Sequence, residues 1–250
     1  MKIIDILRMQ QVKAINNLDD TSKTLLHSKI IEKKPFLKKI YIDFYNEFKN
    51  LIGNDINNKI IVEIGSGGGF IKKIIPNAIT SDILILPNLD IYFSATENPF
   101  KDNSIDVYLM LNVLHHIPNI KKFFIELDRT LKINGKAIMI EPANTIWSRF
   151  IYRNFHHEDF DIRGKWFIEN RSPLSGANGA LPWIIFFRDK EIFEKEFPSL
   201  QIHNIIIHTP FRYIISGGFT FKQLLPSFTY NIISKIEKNL SILINILECL

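Results

Sequence analysis

In VEIGSGGGF (residues 62–70) four glycines fall within positions 65–69, directly after an apolar run, and Glu63 stands two residues before the first of them. Glycines in that pattern let a ligand approach the backbone closely. No Gly-Lys-Ser/Thr follows, so a triphosphate-cradling loop is excluded. The dinucleotide fingerprint Gly-x-Gly-x-x-Gly would need glycine at position 70, where the chain has Phe70, although the acidic Asp82 follows at about the distance that fingerprint wants. Glu63 puts a carboxylate beside the ligand, which repels a pyrophosphate and suits an ammonium or sulfonium group. Asp82, at the end of a second apolar run, can accept two hydrogen bonds from ribose hydroxyls. The ligand so described is a nucleoside with positive charge and little phosphate.

Two further groups could do chemistry. His115-His116 follow the apolar run IDVYLML (105–111), and neighbours at a strand's end point in different directions, which argues against one shared metal site. His156-His157-Glu158 lacks the four-residue spacing of a helix-borne zinc pair, so no metal is expected there either. As an acid/base set, His156 or His157 with Glu158 can take a proton from an acceptor hydroxyl. The alternative is a capped helix end with solvated charges. Trp147, Phe150, Tyr152, Phe155, Phe160, Trp166 and Phe167 read mainly as core, with some available to line an acceptor pocket. SGANGA (175–180) reads as a tight loop of small residues.

The elements that must position these residues follow from periodicity. Ile31, Phe36, Ile40, Phe44 and Phe48 recur at helical spacing, with Pro35 as a break. From residue 59 the period changes: KIIVEI (59–64) is a buried strand, followed by a helix over about 68–75. Strands then fall at 78–81, 91–93, 105–111 and 136–140, with a helix over 119–131 and a turn at Asn134-Gly135. This alternation predicts a mostly parallel sheet with helices on both faces. After 142 the pattern is irregular, with a helix over 189–196 and strands at 202–208 and 242–247. A membrane-surface helix is the second reading of 230–250.

The 250-residue chain is 46% hydrophobic and 23% charged, with a formal net charge of +5. Its lysines are scattered doublets such as Lys33-Lys34 and Lys72-Lys73, without the concentrated cationic face that nucleic-acid binding needs. A single cysteine, Cys249, fits a reducing compartment, and the first residues lack the uninterrupted apolar core of a signal peptide. A cytoplasmic protein is expected.

Residues 60–142 resemble the class I S-adenosylmethionine-dependent methyltransferases, especially the methyltransferase type 11-like subgroup. VEIGSGGGF, TSDI (80–83), SATENPFKDNSIDV (94–107), LNVLHHIPN (111–119) and ELDRTLKINGKAIMIEP (126–142) occur in that family's order and spacing. Segments 24–45, 151–161 and 173–198 are similar to uncharacterised bacterial members. The resemblance implies that Glu63, Gly65, Ser66, Gly67 and Gly69 wrap the methionine part of S-adenosyl-L-methionine. Asp82 would take the ribose hydroxyls, Ile83 the adenine face, Ser94 and Ala95 the adenine edge, and Asn112 the methionine end. Many relatives carry Asp where this chain has Ser94.

The expected fold is therefore α/β, a Rossmann-like seven-stranded sheet, mostly parallel, with helices on both faces and an antiparallel last strand. One domain, 1–250, is expected to comprise a helical extension (1–55), a cofactor-binding core (56–142), an acceptor-side elaboration (143–200) and C-terminal strands and helix (201–250). The expected function is methyl transfer, most simply to oxygen, on a small-molecule, glycan or lipid-precursor acceptor. Rival readings are an NAD(P)-dependent oxidoreductase and a non-catalytic, membrane-peripheral binding protein.

Overall fold

Where the hydrophobic period shifts near residue 59, helices give way to strands. The structure, a computed structural model, describes residues 7–9, 21–156, 158–168, 176–209 and 211–248, the last eight of these by backbone only. His157, Ser175 and Cys249 lie outside the described residues. Pro35, which has no N–H to donate, takes the first position of a new helix and divides the N-terminal amphipathic run into α1 (Thr21–Lys33) and α2 (Pro35–Ile52).

Strands β1 (Ile61–Ile64), β2 (Ile79–Asp82), β3 (Ile91–Tyr92), β4 (Ile105–Leu111) and β5 (Leu131–Ile140) form a sheet of order β3-β2-β1-β4-β5. Every neighbouring pair is parallel. All four residues of β1 are buried, as a central parallel strand requires. The chain builds outward from β1 on one side, then returns to place β4 on the other. The carboxyl ends of β1 and β4 are thus the point where strand order reverses, which is where open α/β sheets hold ligands.

Helix α3 (Ile120–Thr130) supplies the crossover between β4 and β5. Its Asn119 cap accepts the Lys122 N–H, and Ile120, Phe123, Phe124 and Leu127 bury one stripe against the sheet core. Helix α4 (Ile146–Phe155), missed in the irregular stretch, starts at a reciprocal Thr145–Ser148 cap. A short helix α5 (Leu181–Trp183) runs into a π-helical segment (Ile184–Arg188), and α6 (Lys190–Glu196) follows where a helix was expected. Helices α7 (Arg212–Ser216) and α8 (Tyr230–Glu248) complete the described elements. Among the described residues no helix is long and apolar enough to cross a membrane.

Four expectations are corrected. The described sheet has five strands, all parallel, instead of seven with an antiparallel last one. Residues 242–247 belong to α8 because no Gly or Pro interrupts the helical spacing of Ile232, Ile236 and Leu240 that leads into them. Without that antiparallel neighbour, 202–208 pairs with no described strand and leaves Ile205 and Ile206 exposed. The helix expected over 68–75 shrinks to one 3₁₀ turn, Ile71–Lys73, bounded by glycines that disfavour helix and by Pro76, which cannot donate to one.

The chain forms two compact units, residues 44–202 and residues 1–43 with 203–250. The first holds the sheet and its core. The second is tied by a buried polar knot: Arg212 donates to Glu237, to Asp43 at 2.5 Å and to the Tyr230 hydroxyl at 2.8 Å. Glu237 also accepts the Phe211 and Arg212 N–H groups. Removing one member of a buried ion pair strands the other. Arg212→Met is expected to lower unfolding stability in urea by roughly 3–5 kcal/mol.

Candidate active site at the carboxyl edge of the sheet

Glu63 comes to the site because β1 is buried on both faces, so its carboxylate has no route to water. It is 2% exposed, and its Oε2 has no hydrogen-bond partner. Burial, with the neighbouring Asp82 charge adding to it and a Ser66 hydrogen bond opposing, pushes its carboxyl up to about 7. Asp82, at the tip of β2, accepts the Gly67 N–H at 2.9 Å and the Leu84 N–H at 3.0 Å. Burial still raises its carboxyl above the usual range. Ser66 straps the two strand ends together: its N–H donates to the Ser81 carbonyl at 2.8 Å, and its hydroxyl accepts the Ser81 N–H at 3.1 Å. Glu63, Ser66, Gly67 and Asp82 are thus one hydrogen-bonded and electrostatic group.

The glycines divide by task. Gly67 has φ +51°, a left-handed conformation that aims its N–H at Asp82. Gly65 is bare because a Cβ there would come within 2.5 Å of Cγ2 of Val113, two residues past β4. A Cβ on Gly69 would strike the Tyr45 hydroxyl, which itself accepts the Phe70 N–H. Tyr45 was not singled out by sequence; one aromatic on an amphipathic helix carries no such signal.

The remaining cofactor candidates lie along the same edge. Ile83, beyond the tip of β2, is 48% exposed. Ser94 and Ala95 follow β3, whose Tyr92 pairs with Asp82. The Ser94 hydroxyl is engaged locally with Thr96 at 2.9 Å, while Ala95 packs against the core. Asn112, the residue after β4, has φ +57°, with its N–H donated to the Ile140 carbonyl.

A second group begins one residue further on. Glu141, just past β5, accepts the Val113 and Leu114 N–H groups, both at 2.7 Å, through one oxygen. Its other oxygen holds His115 Nδ1 at 2.6 Å. Glu158 lies 3.5 Å from His115 Nε2, 3.7 Å from His116 Nε2 and 3.6 Å from His156 Nδ1. Sequence reasoning missed Glu141, although it directly follows the apolar run 137–140. It also expected His115 and His116 to diverge. Leu114–His116 is a 3₁₀ turn, not strand, so the two rings sit 4.3 Å apart and both face Glu158. The Asn178 N–H donates to the His115 carbonyl, so the small-residue loop closes against this group.

Charge is divided sharply between the two imidazoles. Burial disfavours the charged His115 ring, yet Glu141 and Glu158 hold it up at about 9. Burial and then the His115 charge push His116 down to about 4. Glu158 resists its own burial and stays well below the usual carboxylate range because His115, His116 and His156 surround it.

Residues 62–139 match the family described as a methyltransferase domain. That match supports a methyltransferase domain of the class I, S-adenosylmethionine-dependent kind over those residues. The match includes Glu63, Asp82, Asn112, His115 and His116 and stops before Glu141. A curated relative, ubiquinone biosynthesis O-methyltransferase of Rickettsia bellii, is 29% identical over 103 residues, 34% of this chain. That stretch is 43% of the relative, so the chain spans less than half of the curated proteins it matches. A SAM-dependent methyltransferase from Aquifex aeolicus is 16% identical over 41% of this chain and 66% of its own, with a TM-score of 0.33. The trans-methyltransferase CalH, solved with SAH, is 20% identical over 45% and 41%, with a TM-score of 0.36.

S-adenosylmethionine is the cofactor of this class, and the methyltransferase domain fits it at one telling atom: the buried, unpartnered Glu63 Oε2 is a place for a cationic group. Because the folded carboxyl holds its proton up to about pH 7 while the unfolded one releases it near 4.5, stability falls as pH rises through that window. Glu63→Gln is expected to flatten this fall and to melt higher than wild type above pH 7 when both are followed against pH without ligand.

Proposed function

We propose that this chain transfers the methyl group of S-adenosylmethionine to a hydroxyl of a small-molecule, glycan or lipid-precursor acceptor. The observation that carries the reading is the buried Glu63 carboxylate, with one oxygen unpartnered, beside the glycine turn and Asp82. A buried anion of that kind favours a cationic ligand and disfavours a pyrophosphate, which counts against an NAD(P)-dependent oxidoreductase.

When bound, the cofactor supplies a methyl already activated on sulfur, so the protein's task is alignment and exclusion of water. Glu63, Gly65, Ser66, Gly67 and Gly69 hold the methionine end, with Asn112 at the tip of the next strand. Asp82 takes the ribose; Ile83, Ser94 and Ala95 border the base. On the acceptor side, the set His156, His157 and Glu158 supplies the base for the hydroxyl proton, with the Glu158 carboxylate 3.6 Å from His156 Nδ1 to stabilise a ring that becomes charged. His157, the third member of that set, lies outside the described residues. The O-methyltransferase name of the Rickettsia relative favours oxygen as the atom methylated. Residues 56–142 then serve as the cofactor core and 143–200 as the acceptor side of one domain, in a chain whose one cysteine suits the cytoplasm.

S-adenosylhomocysteine, at about 100 times its dissociation constant, is expected to add about 2.7 kcal/mol and raise the melting temperature by several degrees. Glu63→Ala should abolish that response, and NAD should produce none. A shift with NAD and none with the sulfur nucleoside would overturn the proposal in favour of the oxidoreductase.

A further inference from the structure

We propose that His115, His116 and Glu158 form a three-ligand site for a divalent transition-metal ion, with zinc the best fit, and with a fourth position open at the acceptor side. Their candidate ligand atoms all lie within 4.8 Å of one another. The decisive feature is spacing. His115 Nε2 stands 3.5 Å from Glu158 Oε2, and His116 Nε2 stands 3.7 Å from Glu158 Oε1. Both separations exceed a charge-assisted hydrogen bond of about 2.7–2.9 Å. They approach the ligand-to-ligand edge of a tetrahedron with bonds of about 2.0–2.1 Å, which is about 3.3–3.4 Å.

The surrounding contacts are those a metal-binding imidazole uses. His115 Nδ1 is held by Glu141 at 2.6 Å, which fixes the ring with Nε2 facing Glu158, so that an ion taking the place of the Nε2 proton meets that nitrogen's lone pair. Glu141 is itself fixed by two backbone N–H groups at 2.7 Å, so the carboxylate–histidine arm is rigid. His115 is 2% exposed, and the side chains of His116 and Glu158 are 18% and 13% exposed, so the group is sheltered with one side reachable. The 3₁₀ turn at Leu114–His116 allows two consecutive histidines to serve one ion, a geometry that a strand end would forbid. Two carboxylates, Glu141 and Glu158, balance a 2+ charge.

The donor set decides the class of ion. Two imidazoles and one carboxylate suit zinc, cobalt or iron(II) and not magnesium or calcium, which prefer oxygen. His156 is close to Glu158 but accepts the Glu158 N–H through Nδ1 at 3.3 Å, so that nitrogen is occupied and the fourth position is left for water or an acceptor oxygen. Three protein ligands with one open position is the arrangement of catalytic zinc sites. The inference stands apart from methyl transfer, because ion binding is read without cofactor or acceptor.

The test uses the full chain stripped with a chelator and titrated separately with Zn2+ and Co2+. One equivalent of Zn2+ should bind by calorimetry, and Co2+ should give the intense visible bands of a four-coordinate site. His116→Ala and Glu158→Gln should lose the cobalt bands, and Glu141→Gln should weaken zinc affinity about 10–100-fold. His203→Ala, an exposed histidine outside the group, should leave both unchanged. Circular dichroism reports whether each variant is folded; if the substitutions unfold the chain, X-ray absorption of the zinc-loaded wild type should count two imidazole ligands. Folded wild type that takes up neither ion, binding undiminished in folded His116→Ala and Glu158→Gln, or a zinc shell without two imidazoles would overturn the proposal.

Discussion

Carboxylates placed at the tips of parallel strands, out of reach of bulk water, govern this molecule. Glu63 is the penultimate residue of β1, Asp82 ends β2 and Glu141 follows β5. A buried anion is costly unless donors surround it. Asp82 and Glu141 meet that requirement by each collecting two backbone N–H groups from the loops beyond the strands. In doing so they fix those loops: Asp82 sets the glycine turn, and Glu141 sets the turn that carries His115 and His116. Glu63 alone keeps an oxygen without a partner. The edge is therefore held by two of its acids and left receptive by the third.

The two groups of site residues are joined through one short segment. Val113 closes against the bare face of Gly65 and gives its N–H to Glu141. A side chain larger than hydrogen at position 65 would press on the same residue that Glu141 holds, so the glycine turn and the histidine turn are adjusted together. Beyond it, Glu158 gathers three histidines from two separate stretches of chain. Mutual neutralisation makes this affordable: the carboxylates keep His115 charged, and the charged His115 helps keep His116 neutral. Such opposed states in neighbouring rings arise from placement alone, since both begin with the same intrinsic basicity.

Much of the sheet was legible because the buried strands announce themselves as β-branched runs. KIIVEI, which runs into Gly65, and IDVYLML, which runs into Asn112, placed β1 and β4 within a residue or two. Helix α3 was legible from its apolar stripe. The errors fall where local pattern is ambiguous. An isoleucine-rich stretch such as 242–247 fits a strand or one face of a helix equally, and α8 is settled by continuity with Tyr230–Leu240. The glycine turn reads as the start of a helix, yet the glycines favour turn over helix and Pro76 closes the segment early.

The sequence by itself determined the strand tips, the glycine turn and the two acids that flank it, because strand burial and backbone freedom depend on a few adjacent residues. Helix α2 and the parallel order of the core follow from the same short-range rules. Only the tertiary structure decided that Glu141, His115, His116 and Glu158 meet, that Tyr45 fills the space beside Gly69, and that no strand extends the described sheet past β5. Those contacts join residues far apart in the chain, and their energies depend on burial and on distances of a few ångströms, quantities that residue order does not carry.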